Sequence, residues 1–345
     1  MTELEIKEAA SHFGKQVISI VPLTEGLIHQ TYKVEYAGSG PVVLQSINRN
    51  TFPHPENLIY NYLLLSEYLT NGGKTHIPAM VKADNGEWFW IDSSNNFWRA
   101  TEFETGTVTM PQPESADDAR LVAHCFGKFT RDLSQLDASR LKVIIPGFHD
   151  LSLRYNQFEA AVAGAHINRL LKSTHIIAEL RQRAKFVQFY TYIVDDPGFK
   201  IRIMHHDCKM SNILLNASTR TVIGPIDLDT VMPGYYFSDI GDMIRSMAGT
   251  VDENSTRWED VGIRRDFYEA IIEGYLAGTG DAFTKKEIEN IHQAGLIMIY
   301  MQCLRFLTDF LNNDVYYYTT YPEQNLNRAL NQLLLLERLE EFLEE

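Results

Sequence analysis

The hydrophobic pattern of this chain changes its period near residue 105, and that change constrains the fold more than any other feature. Residues 17–104 show the alternation and turn signals of short strands. Beyond residue 110, apolar residues recur at helical spacing instead. The sequence therefore predicts an α+β protein of two domains, a small β-rich region at 1–104 and a larger, mostly helical region at 105–345, with the hinge at 105–112. A chain of 345 residues is long enough for both.

The local patterns predict the order of the elements. An amphipathic helix at 1–15 precedes the first strand, and Gly38 and Gly40 mark a hairpin. The N-terminal region should contain strands at 17–23, 31–36, 41–48, 79–83, 88–91 and 97–103, with a helix at 55–69. The second region should contain helices at 116–133, 153–172, 174–192, 287–311 and 324–343, and short strands at 213–215 and 222–226.

Composition excludes several classes of partner. The formal net charge of -14 gives an acidic surface that repels nucleic-acid phosphates and disfavours a polybasic membrane contact. The sequence contains no apolar run long enough for a signal peptide or a membrane span, and its three cysteines stand far apart. We therefore expect a cytoplasmic protein with small-molecule partners, as a monomer or small homo-oligomer, without a disulfide framework or zinc cluster.

One segment, at 203–230, carries the chemistry. His205-x-Asp207-x-x-x-x-Asn212 places a carboxylate and an amide five residues apart on one loop, before an apolar strand. Asp227 follows the second apolar strand, 20 residues after Asp207, and a hairpin would return it to the same site. Phosphoryl transfer needs a carboxylate near the attacking hydroxyl and oxygen ligands for Mg²⁺. Each motif alone usually marks a solvated turn, but the combination predicts a kinase.

The same residues resemble a known family. His205-x-Asp207-x-x-x-x-Asn212 followed by Ile226-Asp227 is similar to the signature of the aminoglycoside phosphotransferase-like kinases, which share the two-lobed protein-kinase-like fold. Further segments resemble one branch, the N-acetylhexosamine 1-kinases, and the similarity extends over about residues 20–335. Those segments lie at 43–48, 145–150, 226–234, 239–245, 305–310 and 325–328.

The resemblance implies roles around the reacting atoms. Asp207 would be the catalytic base, His205 would support its loop, and Asp242 would brace that loop from the following helix. ATP would be the co-substrate. The implied ligands of Mg²⁺ are Asn212, Asp227 and Asp229, the last also as a possible substrate contact.

The nucleotide side departs from the usual kinase pattern. The resemblance implies a phosphate turn from Gly26 to Thr31 and a hinge whose backbone receives the adenine, at Thr101, Glu102 and Phe103. Kinases normally carry a lysine or arginine on the third strand, whereas this chain has Gln45 followed by Ser46. A neutral amide cannot supply that charge, so phosphate affinity must come from Mg²⁺, backbone N–H groups or another cation.

The acceptor side has fewer signals. Arg305 lies in an apolar helix, where a charge is costly without a partner, so it either reaches the substrate or pairs with Asp309 four residues on. Tyr316 begins a run of three tyrosines and is a candidate wall of the pocket. Arg154 is a further candidate.

These features together predict an enzyme, a Mg²⁺-dependent kinase that transfers the γ-phosphoryl group of ATP to the anomeric hydroxyl of an N-acetylhexosamine. Another hydroxyl acceptor is the first alternative: a different sugar, a choline-like compound or an aminoglycoside. A non-catalytic nucleotide- or sugar-binding protein is the second, because the strand lysine is missing. The sequence leaves open the sugar epimer and the choice between ATP and GTP.

Overall fold

The computed structural model describes residues 2–23, 28–70 and 74–345. The chain divides into two compact units. The first contains Met1–Thr109, Ser139–Ile145 and Leu214–Met232, and the second contains Met110–Ala138, Pro146–Ile213 and Pro233–Glu345. Two segments beyond residue 109 thus belong to the first unit. The predicted turn around Gly26 and the glycine pair at 72–73 lie outside the described residues.

The first unit is built on an antiparallel sheet with the strand order β1-β2-β3-β6-β4, and β5 also pairs with β6. In the β3–β6 register, Gln45 stands opposite Arg99. Three further strands, in the order β10-β9-β7, form a small second sheet. The elements are α1 (Glu3–Phe13), β1 (Val17–Leu23), β2 (Gln30–Tyr36), β3 (Ser39–Ile47), α2 (Pro55–Leu69), β4 (Met80–Val81), β5 (Trp90–Ile91), β6 (Phe97–Glu102), β7 (Thr107–Val108), β9 (Ile213–Asn216, whose first residue belongs to the second unit) and β10 (Val222–Pro225).

The core of this sheet lies under α1. Alternate residues of β2 and β3, among them Val34 and Leu44, are fully buried, as the period of two requires. Ala9 and Phe13 cover them from α1, and the Tyr36 hydroxyl donates a 2.7 Å hydrogen bond to the Ala10 carbonyl. The alternation that predicted these strands therefore reflects one buried face.

The second unit is mainly helical, and its helices pack closely through small residues. α3 and α8 meet at Gly127 and Gly278, where an added Cβ would lie 2.4 Å from a backbone carbonyl of the facing helix. The elements are α3 (Ala116–Asp132), α4 (Leu151–Gly164), α5 (Ile167–Gln182), α6 (Lys185–Asp195), β8 (Arg202–Met204), β11 (Met232–Gly234, whose first residue belongs to the first unit), α7 (Phe237–Met247), α8 (Arg265–Thr279), α9 (Lys285–Glu289), α10 (Gln293–Leu311) and α11 (Gln324–Glu344).

Two predicted helix boundaries in this unit are wrong. The helices expected at 153–172 and 174–192 are in fact α4, α5 and α6, because α4 ends at Gly164 and His166 caps α5 by accepting from the Asn168 N–H. The single helix expected at 287–311 is likewise two, α9 and α10. In both cases an apolar pattern continues across a break, and the break before α5 is capped by His166.

Within the described residues, α10 is the one helix whose length and apolar composition would allow it to cross a membrane. Of its most apolar window, 83% is buried inside the protein, as expected of a core helix.

Candidate active site

Side chains of α7 bind the backbone N–H groups of the loop that bears Asp207. His205 and His206 donate their N–H groups to the two oxygens of Asp239, at 3.0 and 2.8 Å, and Cys208 donates its N–H to Asp242 at 2.9 Å. His206 adopts a left-handed conformation with φ 66°. Two carboxylates on α7 therefore hold three backbone groups around Asp207, which fixes the loop before any substrate binds.

The two α7 carboxylates have different partners. Asp242, the predicted brace, also accepts two hydrogen bonds from Arg245, at 3.0 and 2.8 Å. Asp239 is fully buried, and burial raises its pKa to about 6. Sequence reasoning missed Asp239, although two carboxylates three residues apart in an apolar helix were a usable signal.

Asp207 carries its charge despite partial burial. The Lys209 ammonium lies 3.0 Å from Oδ2, and the Asn212 amide donates to the same oxygen at 2.8 Å. Burial opposes ionisation, but Lys209, His205 and Asn212 outweigh it and hold the pKa of Asp207 below its usual value. The carboxylate is therefore ionised at neutral pH and can accept a hydrogen bond. Lys209 was not predicted, although it stands two residues after Asp207 in the same motif.

The side chain of His205 is buried beneath the loop that bears Asp207. Its ring is fully buried and packs edge-on against Phe126 and Phe129, with centroids 5.0 and 6.0 Å away. Its Nδ1 lies 3.4 Å from the Asp207 backbone nitrogen. These contacts suit the supporting role that the sequence suggested.

The donor chemistry fits a hard divalent cation. Both side-chain hydrogen bonds of Asn212 use Nδ2, and no hydrogen bond among the described residues uses the amide oxygen Oδ1. Asp227, in the first unit, has the left-handed values φ 59° and ψ 58° before a short 3₁₀ turn at Leu228–Thr230. Amide and carboxylate oxygens are ligands that Mg²⁺ and Ca²⁺ prefer. Within the described residues, no group of three or more His, Cys, Asp or Glu forms a complete metal cage.

Asp229 has protein partners for both of its oxygens. Arg99 contacts them at 2.6 and 2.7 Å, and His29 Nε2 lies 2.7 Å from Oδ2. Burial opposes ionisation, but Arg99 and His29 hold the pKa of Asp229 well below its usual value. Asp229 thus forms a buried ion pair inside the first unit, and its role as a metal ligand or substrate contact stays a prediction.

The same network brings a buried arginine, which the sequence analysis did not single out, against Gln45. Gln45 Oε1 accepts from Arg99 Nε at 3.0 Å and Nη2 at 2.8 Å, and Gln45 Nε2 donates to Thr31 at 3.3 Å. Gln45 and Thr31, predicted for nucleotide binding, therefore contact this arginine network. The available signal was an arginine flanked by the apolar residues Trp98 and Ala100 in the buried half of a predicted strand.

Backbone donors of the predicted hinge are partly used within the first unit. Glu102 donates its N–H to the Ala79 carbonyl at 2.8 Å, and Phe103 donates to Pro41 at 3.0 Å. Thr101 lies within β6, opposite Val43. The role of these three residues in adenine binding stays a prediction.

Arg305 has aromatic neighbours rather than a carboxylate. Its guanidinium lies 5.1 Å from the Phe148 ring centroid and 5.6 Å from that of Tyr317, and it donates to Gln302 at 3.1 Å. The pairing with Asp309 that the sequence allowed does not form. Asp309 instead accepts backbone N–H groups at 315, 316 and 317.

A second arginine lies beside the first. Arg154 donates to the Phe148 carbonyl at 3.3 and 3.1 Å, and burial together with the charge of Arg305 lowers its pKa. Among the described residues, neither arginine has a carboxylate oxygen within 4.0 Å. His149 stacks on Phe148 and contacts His206 at 3.2 Å, next to Asp207 in the chain. Burial, then His206 and both arginines, lower the pKa of His149 well below its usual value.

Tyr316 and Tyr317 differ in exposure. Tyr316, the predicted acceptor residue, is 61% exposed, whereas the Tyr317 hydroxyl accepts a hydrogen bond from Gln302 at 3.2 Å. Asp309 holds the backbone of both. Tyr316 remains a predicted acceptor contact, and Tyr317 joins Arg305 through Gln302.

Comparison with known proteins identifies the family. Residues 19–284 match the family model described as APH, phosphotransferase enzyme family, and the chain belongs to that family. It is accordingly an enzyme of the phosphotransferase class.

Solved structures share its fold at low sequence identity. A microcompartment-associated aminopropanol kinase is 16% identical with a TM-score of 0.66, over 99% of this chain and 98% of that one. An aminoglycoside phosphotransferase from Alicyclobacillus acidocaldarius is 13% identical with a TM-score of 0.64, over 98% and 96%. The amicoumacin kinase hAmiN, in complex with AMP-PNP, Ca²⁺ and Ami, is 12% identical with a TM-score of 0.63, over 98% and 94%. The predicted protein-kinase-like fold, with a β-sheet N-terminal region and a helical C-terminal region, is confirmed.

Proposed function

We propose that this enzyme transfers the γ-phosphoryl group of ATP to a hydroxyl of a neutral sugar, the anomeric hydroxyl of an N-acetylhexosamine. Membership of the phosphotransferase family supports the reaction, and the residues at 226–234 support the sugar branch. Asn212 and Asp227 would hold Mg²⁺, which would offset the negative charge of the phosphates. Asp207 orients the acceptor hydroxyl and receives its proton.

The observation that carries the choice of acceptor is the arginine pair in the second unit. Burial and the charge of Arg305 lower the pKa of Arg154, and within the part of the chain that the structure describes no carboxylate forms an ion pair with either arginine. An amine acceptor is a cation at neutral pH and would be repelled there. Guanidinium groups donate instead to the hydroxyl and acetamido oxygens of a sugar, and Phe148 and Tyr317 provide apolar faces for its ring.

The ionisation of Asp207 suits an anomeric hydroxyl. That hydroxyl is more acidic than an ordinary alcohol, so a carboxylate with a low pKa can orient it and accept the proton late in the transfer. Lys209 lies 3.0 Å from Asp207 Oδ2, and its positive charge favours the ionised carboxylate that this role requires.

The charge argument predicts the result of a matched pair of acceptors. N-acetylglucosamine and glucosamine differ in whether the nitrogen is acylated or an ammonium group. With ATP and Mg²⁺, we expect ADP formation with the N-acetylated sugar and a kcat/KM at least about tenfold lower with glucosamine, choline and an aminoglycoside. The measurement is a coupled ADP assay, with acid lability of the product distinguishing an anomeric phosphate from a stable phosphate ester.

Two outcomes would contradict the proposal. A preference for glucosamine or another amine would show that the arginine pair does not select the acceptor. Tight nucleotide binding without turnover of any acceptor would favour a non-catalytic binding protein.

Asp309 offers a test of the acceptor pocket that leaves its lining side chains in place. Its carboxylate is 4% exposed and accepts four hydrogen bonds, three from the backbone at 315–317 and one from Asn325 at 3.0 Å. Asp309→Asn replaces one acceptor oxygen with an N–H₂ group that faces other donors. We expect the acceptor KM to rise about tenfold, the equivalent of about 1.4 kcal/mol, with the ATP KM unchanged.

Steady-state kinetics with each substrate varied in turn checks this result. The control is Asp281→Asn, which removes an exposed carboxylate from the same unit. Equal changes in both KM values would mean that Asp309 acts on general stability instead of the acceptor loop.

A further inference from the structure

A cluster of four side chains in the first unit, Arg99, Gln45, Asp229 and His29, contains more charge than a buried sheet normally holds. Arg99 and Asp229 are each 4% exposed at the side chain, and His29 is 6% exposed. We refer to these residues as the Arg99 cluster. A buried ion pair is costly to desolvate and is weak evidence for stability by itself, which raises the question of what the pair positions.

The hydrogen bonds of Arg99 account for most of its capacity. A guanidinium has five N–H donors, and Arg99 makes four bonds, two to Gln45 and two to Asp229. These contacts use both donor edges of the guanidinium group, which could otherwise bind a phosphate through two parallel hydrogen bonds. Arg99 therefore has little capacity left for the nucleotide and acts mainly on Asp229.

His29 completes the coordination of Asp229. Its Nδ1 accepts the Asn48 N–H at 3.1 Å, which places the ring proton on Nε2. Nε2 then donates to Asp229 at 2.7 Å. The histidine is satisfied as the neutral tautomer, so the formal charges of Arg99 and Asp229 balance within the cluster.

Asp229 lies two residues after Asp227, in the 3₁₀ turn at Leu228–Thr230. Arg99 thus ties this turn to β6, and the interaction of Arg99 with the charges of both Asp229 and Asp227 raises the Arg99 pKa against the effect of burial. The far end of the turn is fixed separately, because Asn61 on α2 donates to the Val231 carbonyl at 3.1 Å. Both anchors follow Asp227 in the chain, at Asp229 and at Val231, and together they fix the turn that begins after this left-handed residue.

We infer that Arg99, oriented by Gln45, serves as the positioning residue that replaces the missing strand cation, by fixing the turn that bears Asp227 rather than by contacting the phosphates. The inference rests on the proposed function only in taking Asp227 as a metal ligand. A neutral residue at position 45 suits this arrangement, because a lysine there would compete with Arg99 for Asp229.

The test measures nucleotide binding without any acceptor, so it does not depend on which sugar is used. Calorimetry gives the affinity of Arg99→Met for ADP with and without Mg²⁺. We expect the gain in ADP affinity that Mg²⁺ provides to fall by about tenfold or more, with metal-free ADP affinity within about threefold of wild type. The control is Arg183→Met, which removes an arginine that is ion-paired with Glu340 in the second unit.

A double variant that moves the positive charge from β6 to β3 tests whether the charge itself, or the arginine side chain in particular, positions the turn. In Gln45→Lys/Arg99→Met, the ammonium stands on β3 opposite the former arginine and can pair with Asp229. We expect it to restore at least about threefold of the lost Mg²⁺ effect, since one ionic contact to Asp229 replaces two. Gln45→Met, which keeps the ion pair but removes its orienting amide, should show a smaller loss in the same direction and serves if Arg99→Met does not fold.

Two results would overturn the inference, and a third would contradict only the proposed function. An equal loss of ADP affinity with and without Mg²⁺ would overturn the inference, because it would mean that Arg99 contacts the nucleotide itself. An unchanged Mg²⁺ effect in both Arg99→Met and Gln45→Met would overturn it too. Failure of sugar phosphorylation in the wild type, with the Mg²⁺ effect on ADP intact, would contradict the proposed function and leave this inference standing.

Discussion

Asp207→Asn is expected to lower kcat by about 10³-fold while the affinity for ADP stays within about threefold of wild type. The reason is that an amide cannot take the proton of the acceptor hydroxyl. Lys209 and Asn212 keep the wild-type carboxylate ionised, and both lose their charged partner in the variant. The measurements are kcat from ADP release and ADP affinity by calorimetry, each with the melting temperature as a check on folding.

Asp281→Asn serves as the control for this substitution as well, because it removes an exposed carboxylate of the same unit. A variant of Asp207 that keeps wild-type turnover would show that the base is another group. Loss of ADP binding in parallel with kcat would indicate that the loop has collapsed, which the brace from Asp239 and Asp242 argues against.

The second large effect is expected at Asp227. Asn tolerates the left-handed conformation at least as well as Asp, so Asp227→Asn removes the charge and keeps the backbone of φ 59°. We expect kcat at saturating ATP to fall by about 10²-fold or more, which corresponds to about 3 kcal/mol of lost charge stabilisation, and the Mg²⁺ requirement to move to higher concentration. A titration of initial rate against Mg²⁺ measures both changes.

Asp227→Val provides the matched comparison, because a β-branched side chain strains the left-handed backbone. Its melting temperature should fall below that of Asp227→Asn, whereas the two should have similar residual activity. If Asp227→Asn retains the wild-type Mg²⁺ titration, Asp227 does not bind the metal.

The first unit shows what a local pattern can predict. The strand at Val17–Leu23 and the helix at Pro55–Leu69 have the predicted bounds, because alternation and helical spacing are properties of neighbouring residues. The break between α4 and α5 was missed because the apolar pattern is continuous there, and the break depends on the His166 cap. Local spacing therefore predicts where apolar faces exist more reliably than where each helix ends.

The site was predictable to the extent that it follows from a contiguous motif. His205, Asp207 and Asn212 belong to one loop, and their mutual hydrogen bonds follow from that spacing. The pair of Arg99 and Asp229 joins residues 130 positions apart, which no local pattern can indicate. Arg305 shows the opposite case: a permitted partner stood four residues away, but backbone N–H groups compete successfully for Asp309.

The connection between Arg99 and Gln45 also has an evolutionary consequence. Since the two residues face each other across adjacent strands, the cation could move from one strand to the other only if both positions changed together. A lineage that acquired lysine at position 45 first would place two positive charges against one aspartate. Intermediates of that exchange would be disfavoured, so the two arrangements should persist as separate inherited alternatives around the same aspartate at position 229.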